Sequence, residues 1–176
     1  MRKTFLLVII ISTVGLVSWL GYSSVSKLKQ KEIRMKIVSS IPSLSFQDLN
    51  GIPIQLNEIT FSKPKPIVLI LFNSECEYCR YEAMSISDNI DQLDEAMIVF
   101  ISAAEIDAIR SFGETYSLLE HANIICGQVD YPKLIAIFKS VSYPNIFIYG
   151  KDGHLVKEFK GETKVEAILN VVKKLK

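Results

Sequence analysis

The chain has 176 residues, enough for one domain of ordinary size plus an extension. Lys and Arg number 20 against 19 Asp and Glu, a net charge of +1, which excludes the strongly basic surface of a nucleic-acid binder. A hydrophobic fraction of 49% supplies a full core, and three cysteines are too few for a disulfide-stapled scaffold.

Met1-Arg2-Lys3 is a short basic head, and Phe5 to Leu20 follows without a charge. As a helix that run is about 24 Å long at roughly 1.5 Å per residue, near the lower limit for crossing a hydrocarbon core. Trp19 and Tyr22 suit an interfacial belt. A cleavable signal peptide is the alternative, with Ser24 and Ser26 small enough for a peptidase. The apolar run is long for a signal segment, however, and has no A-x-A pattern. Residues 1–22 are therefore read as an uncleaved membrane anchor. Arg2 and Lys3 argue for a cytoplasmic N-terminus, while Lys27, Lys29, Lys31, Arg34 and Lys36 pull the other way. A lone N-terminal span ahead of a soluble domain acts as an export signal, so the bulk of the chain is expected outside the cytoplasm. Residues 23–40 form a basic stalk, helical over 25–36, and 41–176 form the domain.

Ser43 to Phe46 alternates, Asn50-Gly51 signals a two-residue hairpin, and Ile52 to Leu56 alternates again, with Pro53 marking an edge strand. Ile67 to Phe72 is an unbroken apolar run rich in β-branched residues, the pattern of a strand buried on both faces. A helix is expected from Cys79 to about Leu93, burying Ala83, Met84, Ile86, Ile90 and Leu93. Ala96 to Ala103 reads as a second strand. Glu105 to Leu119 has helical spacing around Ile106, Ile109 and Phe112, with Gly113 as a break point. Asn123 to Cys126 is a short strand. Asp130 caps a helix whose first turn holds Pro132. Asn145 to Tyr149 and Leu155 to Phe159 pair across the Lys151–His154 turn, and Thr163 to Leu175 closes as an amphipathic helix. Strands alternating with helices, then a hairpin and a helix, describe a three-layer α/β domain with a central mixed sheet.

The chemistry concentrates at Cys76-Glu77-Tyr78-Cys79, between the central strand and its helix. A thiol at a helix N-terminus meets unpaired backbone N–H groups and the positive end of the macrodipole, which favour its thiolate. Cys76 is the candidate nucleophile. Cys79, one turn on, is the candidate resolving thiol. A zinc site needs three or four ligands, and Cys126, His121 and His154 lack partner spacing, so a redox pair is the stronger reading and no metal is expected. Cys126 reads as a buried structural thiol, and the two histidines as surface loop residues.

From about Ile41 the chain resembles thioredoxin-fold proteins of the redoxin class, and most closely the membrane-anchored extracytoplasmic thiol–disulfide oxidoreductases of the TlpA and ResA type. The resemblance rests on Phe46 to Ile52, on Cys76-Glu77-Tyr78-Cys79 followed by Glu82, on Asp130 opening its helix, and on Tyr143 to Tyr149 with Asp152-Gly153. It implies a cis Tyr143–Pro144 bond beside the cysteines, with Tyr143, Pro144, Glu77 and Tyr78 meeting a partner peptide. It also implies catalytic roles for Cys76, Cys79 and Glu82, no cofactor beyond the Cys76–Cys79 disulfide, protein thiols or disulfides as substrates, and a membrane electron donor. The location implied is the bacterial cytoplasmic membrane, with the domain facing the periplasm or cell exterior.

Some positions depart from the family pattern. Glu75 stands where an aromatic residue usually precedes the first cysteine, Asn145 where threonine usually follows the proline, and Ile70 where thioredoxin has a proton-moving acid. General-base help must then come from Glu77, Glu82 or water. For Glu82 a solvent-facing helix charge is the alternative reading. Glu75 and Glu77 flank Cys76, and their charge works against a thiolate there, which favours a reductase or isomerase over a disulfide donor. Three other functions compete. A peroxiredoxin-like peroxidase needs threonine or serine where Asn73 stands. A copper-delivery module would have C-x-x-x-C spacing and a histidine ligand. A redox-inert scaffold would tolerate loss of Cys76.

Overall fold

The computed structural model describes residues 2–62, 65–139 and 141–175, with side chains described for 15–59, 65–139 and 141–175. The chain forms two compact units, Met1–Lys36 and Ile37–Lys176. From Arg2 on, the first is part of one continuous helix, α1 (Arg2–Val38), which Gly21 does not interrupt. Among the described residues no helix is long and apolar enough to cross a membrane. Most of the Phe5–Leu20 run expected as an anchor has side chains outside the described residues.

The second unit is built on a seven-stranded sheet ordered β2-β1-β5-β4-β3-β6-β7. The strands are β1 (Ser45–Asp48), β2 (Pro53–Gln55), β3 (Ile67–Leu71), β4 (Met97–Ser102), β5 (Ile124–Gln128), β6 (Asn145–Tyr149) and β7 (Leu155–Lys160). The connecting and closing helices are α2 (Leu56–Ser62), α3 (Glu77–Ser87), α4 (Ile106–Thr115), α5 (Tyr131–Phe138) and α6 (Val165–Val172). β3 pairs parallel with β4 and antiparallel with β6, so Val68 lies between Ile98 and Ile148. Every residue of β3 is buried, and the period of two sends its side chains alternately to two cores. Val68 and Ile70 pack with α3, α4 and α6 through Ala83, Ile109 and Ile168. Ile67, Leu69 and Leu71 pack on the other face with Val38, Leu56, Leu134 and Phe138. This is the three-layer arrangement with a mixed sheet expected from the element order.

Several local expectations are corrected. The first hairpin is not a two-residue turn: β1 ends at Asp48 and β2 begins at Pro53. The Asp48 carboxylate accepts the Asn50 and Ile52 amides, each at 2.8 Å, and holds a wider loop. Leu56 ends no strand. It opens α2, an element the alternating pattern concealed, because its side chain is wholly buried in the second core. The helix after the cysteines stops at Ser87, and Ile90–Leu93 forms a separate 3-10 turn. α4 runs through Gly113 to Thr115. Glycine in a helix costs about 1 kcal/mol, less than the burial of its neighbours Ile109 and Phe112 returns. Asp130 occupies the N-cap position of α5, but its carboxylate pairs with Lys133 Nζ at 2.7 Å and caps no amide. Pro53 lies on an edge strand, as its missing N–H predicts.

Candidate functional site

The site begins where β3 leaves the sheet. Phe72 N–H still bonds Ile101 C=O at 3.0 Å, and its ring is locked between Phe100 and Phe112. The chain then turns sharply. Asn73 Oδ1 accepts the Glu75 amide at 2.9 Å, and Asn73 C=O accepts the Cys76 amide at 3.1 Å. This turn delivers Cys76 to the N-cap position of α3, in extended backbone geometry, with its C=O accepting the amides of Cys79 and Arg80. Helix geometry stacks Cys79 one turn above Cys76 and Glu82 one turn above Cys79. The three sequence-predicted catalytic residues therefore share one face.

Their environments grade from solvent to core. Cys76 is half-buried, and its thiol donates to Tyr143 C=O at 3.7 Å. The Tyr143–Pro144 peptide bond is cis, as the resemblance implied. Cys79 is a free thiol, 1% exposed. Burial pushes it up to about 12; the Asn73 backbone N–H partly offsets this, and Cys76 and the Glu82 charge add to it. Glu82 is 1% exposed, which removes the solvent-facing alternative. Burial pushes its carboxyl up to about 7, the Thr163 N–H partly offsets the rise, and the Glu162 charge adds to it. Oε2 accepts that amide at 3.0 Å, while Oε1 is buried with no hydrogen-bond partner. A buried carboxyl poised near neutrality and one turn from a thiol can take that thiol's proton.

The other expected residues form the rim. Glu77 is exposed and accepts the Tyr81 hydroxyl at 3.4 Å, so it lies along the outer face of α3, unlike the buried Glu82. Tyr78 is also exposed, as is Tyr131 at the start of α5. Tyr143 is half-buried, and its phenol is pushed up by burial, with Tyr131 and Cys79 adding. Ile70 is fully buried in the apolar core, so the central strand offers no acid. Cys126 is buried in β5 and pushed up to about 12 by that burial. His121 is half-buried and His154 exposed. Among the described residues no three His, Cys, Asp or Glu side chains gather where they could hold a metal ion.

Sequence reasoning missed the segment that holds Glu82. β7 ends at Lys160, and Gly161 takes φ +78°, a left-handed turn that glycine adopts without strain. Gly161 N–H bonds Pro144 C=O at 2.8 Å, Thr163 Oγ1 donates to Gly161 C=O at 3.1 Å, and Thr163 N–H reaches Glu82. One turn thus ties the proline loop to the carboxylate. Gly161 and Thr163 signalled a turn before a helix, but nothing local linked them to a residue 81 positions away.

A family model described as AhpC/TSA matches residues 37–158. The chain belongs to the AhpC/TSA family. Among curated relatives, it is 27% identical to the thiol-disulfide oxidoreductase ResA of Bacillus cereus, over 98% of this chain and 94% of that protein. It is 26% identical to ResA of Bacillus thuringiensis over the same shares. Among solved structures it resembles a secreted Mycobacterium tuberculosis disulfide oxidoreductase homologous to E. coli DsbE. The TM-score is 0.64 at 21% identity, covering 76% of this chain and 96% of that one. It also resembles the M. tuberculosis peroxidoxin BcpB, with TM-score 0.63 at 15% identity over 78% and 96% of the two chains. These likenesses establish a thioredoxin-like fold for this AhpC/TSA member.

Proposed function

We propose that this AhpC/TSA protein is a membrane-tethered, extracytoplasmic thiol–disulfide oxidoreductase that reduces disulfides in protein partners. It is an enzyme of dithiol exchange. The observation that carries the reading is the placing of Cys76 at the N-cap of α3, with Cys79 and buried Glu82 on the helix behind it and the Cys76 thiol on the Tyr143 carbonyl. The Cys76 thiolate attacks one sulfur of a partner disulfide, and the other partner sulfur leaves as a thiolate. Glu82 takes the proton from Cys79, whose sulfur attacks Cys76, and the second partner thiolate departs. The domain is left with a Cys76–Cys79 disulfide. Tyr143, Pro144, Glu77 and Tyr78 border the nucleophile, where a partner peptide lies during the reaction.

The tether is read from the uncharged Phe5–Leu20 run with Trp19 and Tyr22 at its end. It places the domain on the outer face of the bacterial cytoplasmic membrane, where a membrane electron donor returns Cys76 and Cys79 to the dithiol. Peroxide reduction fits less well. Asn73 stands where a peroxidase needs a hydroxyl, and its amide oxygen is engaged by the Glu75 N–H.

The deciding experiment is the reduction potential of the Cys76–Cys79 couple, equilibrated against glutathione or dithiothreitol. A value near thioredoxin's, about −270 mV, supports a reductase. A value near about −120 mV reverses the direction to disulfide donation, and no two-electron couple removes the redox function altogether.

A further inference from the structure

Resolution releases a proton at a place the bound partner obstructs. When Cys76 is joined to a partner peptide, the face formed by Cys76, Tyr143 and Pro144 is covered. Cys79 and Glu82 behind it are each 1% exposed. The proton taken from Cys79 must still reach water before the next cycle.

A cleft of about 460 Å³ supplies the path. Its walls include Glu82, Ser85 and Asn89 from the α3 side, and Glu162, Thr163 and Glu166 from the β7–α6 turn and α6. Cys76, Tyr143 and Pro144 do not line it, so a partner on the cysteine face leaves it open. The Thr163 amide fixes one oxygen of Glu82 at 3.0 Å, and the other oxygen has no partner. Glu162, next to that amide in the chain, is exposed.

We propose that Glu82 exchanges its proton with water through this cleft during resolution, and that Glu162 at its mouth is a positioning residue that sets the protonation of Glu82. The inference rests on the reading of Glu82 as the base for Cys79. The step balances. Cys79 loses a proton to Glu82, its sulfur forms the bond to Cys76, the mixed disulfide breaks, and its electron pair leaves on the partner sulfur. Glu82 then passes the proton to cleft water. The titratable groups around Glu82 are Cys76, Cys79 and Tyr81 on its own helix, and Glu162, Lys164 and Glu166 across the cleft. Glu162 is the one whose negative charge acts on the carboxyl, and its removal favours the ionised form.

The test uses full-length reduced protein mixed rapidly with dithiobis(nitrobenzoate) across a pH range. The first thionitrobenzoate released reports attack by Cys76, and the second reports resolution by Cys79. Glu162→Gln is expected to move the acidic limb of the second phase, where the rate rises as Glu82 ionises, to lower pH by about half a unit, and Glu162→Lys further the same way. The first phase keeps its profile. The ¹³C carboxyl resonance of Glu82 should titrate with the same displacement. Ser85→Phe, which fills the cleft, should slow repeated turnover with dithiothreitol as reductant severalfold, because the proton leaves Glu82 only after the Cys76–Cys79 bond has formed. An unshifted second phase and Glu82 resonance in both Glu162 variants, with an unchanged turnover rate in Ser85→Phe, overturns the inference. Glu82→Gln separates the two levels. If it slows resolution while the other variants do nothing, only the exit route is wrong. If it also leaves resolution unchanged, the base assignment fails and the route with it.

Discussion

Glu82 Oε2 accepts the backbone amide of Thr163 at 3.0 Å, joining the active-site helix to the turn before the last helix. The bond holds a carboxyl that is 1% exposed, and only half of its acceptor capacity is met. The cost of that arrangement depends on pH. In the unfolded chain the carboxyl titrates near 4.5, and in the folded protein near 7. The folded state therefore binds the proton more tightly, so the contribution to stability is complete below about 4.5 and is lost as pH rises to about 7.

Glu82→Gln should make this visible. Glutamine keeps an oxygen for the Thr163 amide and carries no charge. At pH 8 the variant should be more stable than the parent by at most about 3 kcal/mol, since one pK unit is about 1.4 kcal/mol. The difference should vanish below pH about 4.5. Urea unfolding midpoints measured from pH 4 to 8 give the comparison, and a constant difference across the range would show that Glu82 is not buried in its charged form.

Thiol reactivity should separate the three cysteines. Cys79 and Cys126 are both held up to about 12 by burial, so both are neutral at pH 8 and shielded from reagent. Cys76 is half-buried, with its sulfur on the carbonyl of Tyr143. Brief iodoacetamide treatment of reduced native protein at pH 8, read by peptide mass spectrometry, should label Cys76 alone. Early labelling of Cys126 would contradict its place in the core.

The order of attack predicts different fates for the two serine variants. Cys79→Ser should accumulate a covalent mixed disulfide with the partner at Cys76, since attack proceeds and resolution does not. Cys76→Ser should trap nothing and lose disulfide reduction entirely. Non-reducing electrophoresis with a disulfide-containing protein substrate distinguishes them. Trapping by the Cys76→Ser variant would invert the assignment of nucleophile and resolving thiol.

Gly127 tests the packing of the second core. A Cβ at this position would meet the ring of Phe46 and lie 2.7 Å from the Gln47 carbonyl oxygen. Phe46 is 2% exposed, and the carbonyl belongs to the neighbouring strand. Gly127→Ala should cost about 1–3 kcal/mol through overpacking, despite the lower backbone entropy of alanine in the unfolded chain. Thermal unfolding of parent and variant reads the sign directly.

The sequence by itself determined the succession of the seven strands, the two-faced burial of β3 and the Cys76–Cys79 spacing on a helix N-terminus. Those properties are written in neighbouring residues: apolar runs, periodicity and turn chemistry. α2 and the break at Ser87 escaped it because short helices depend on which core receives their side chains. Leu56 continues an alternating pattern until the fold buries it at the head of a helix. Only the tertiary structure decided the state of Glu82. Three residues beyond Cys79, a glutamate could face water or the core with equal local logic. What settles it is α6 packed against α3, and the Gly161–Thr163 turn that brings one amide from 81 residues away. Burial then turns an ordinary helix charge into a carboxyl that titrates near neutrality, because desolvation is a property of the surroundings and not of the residue.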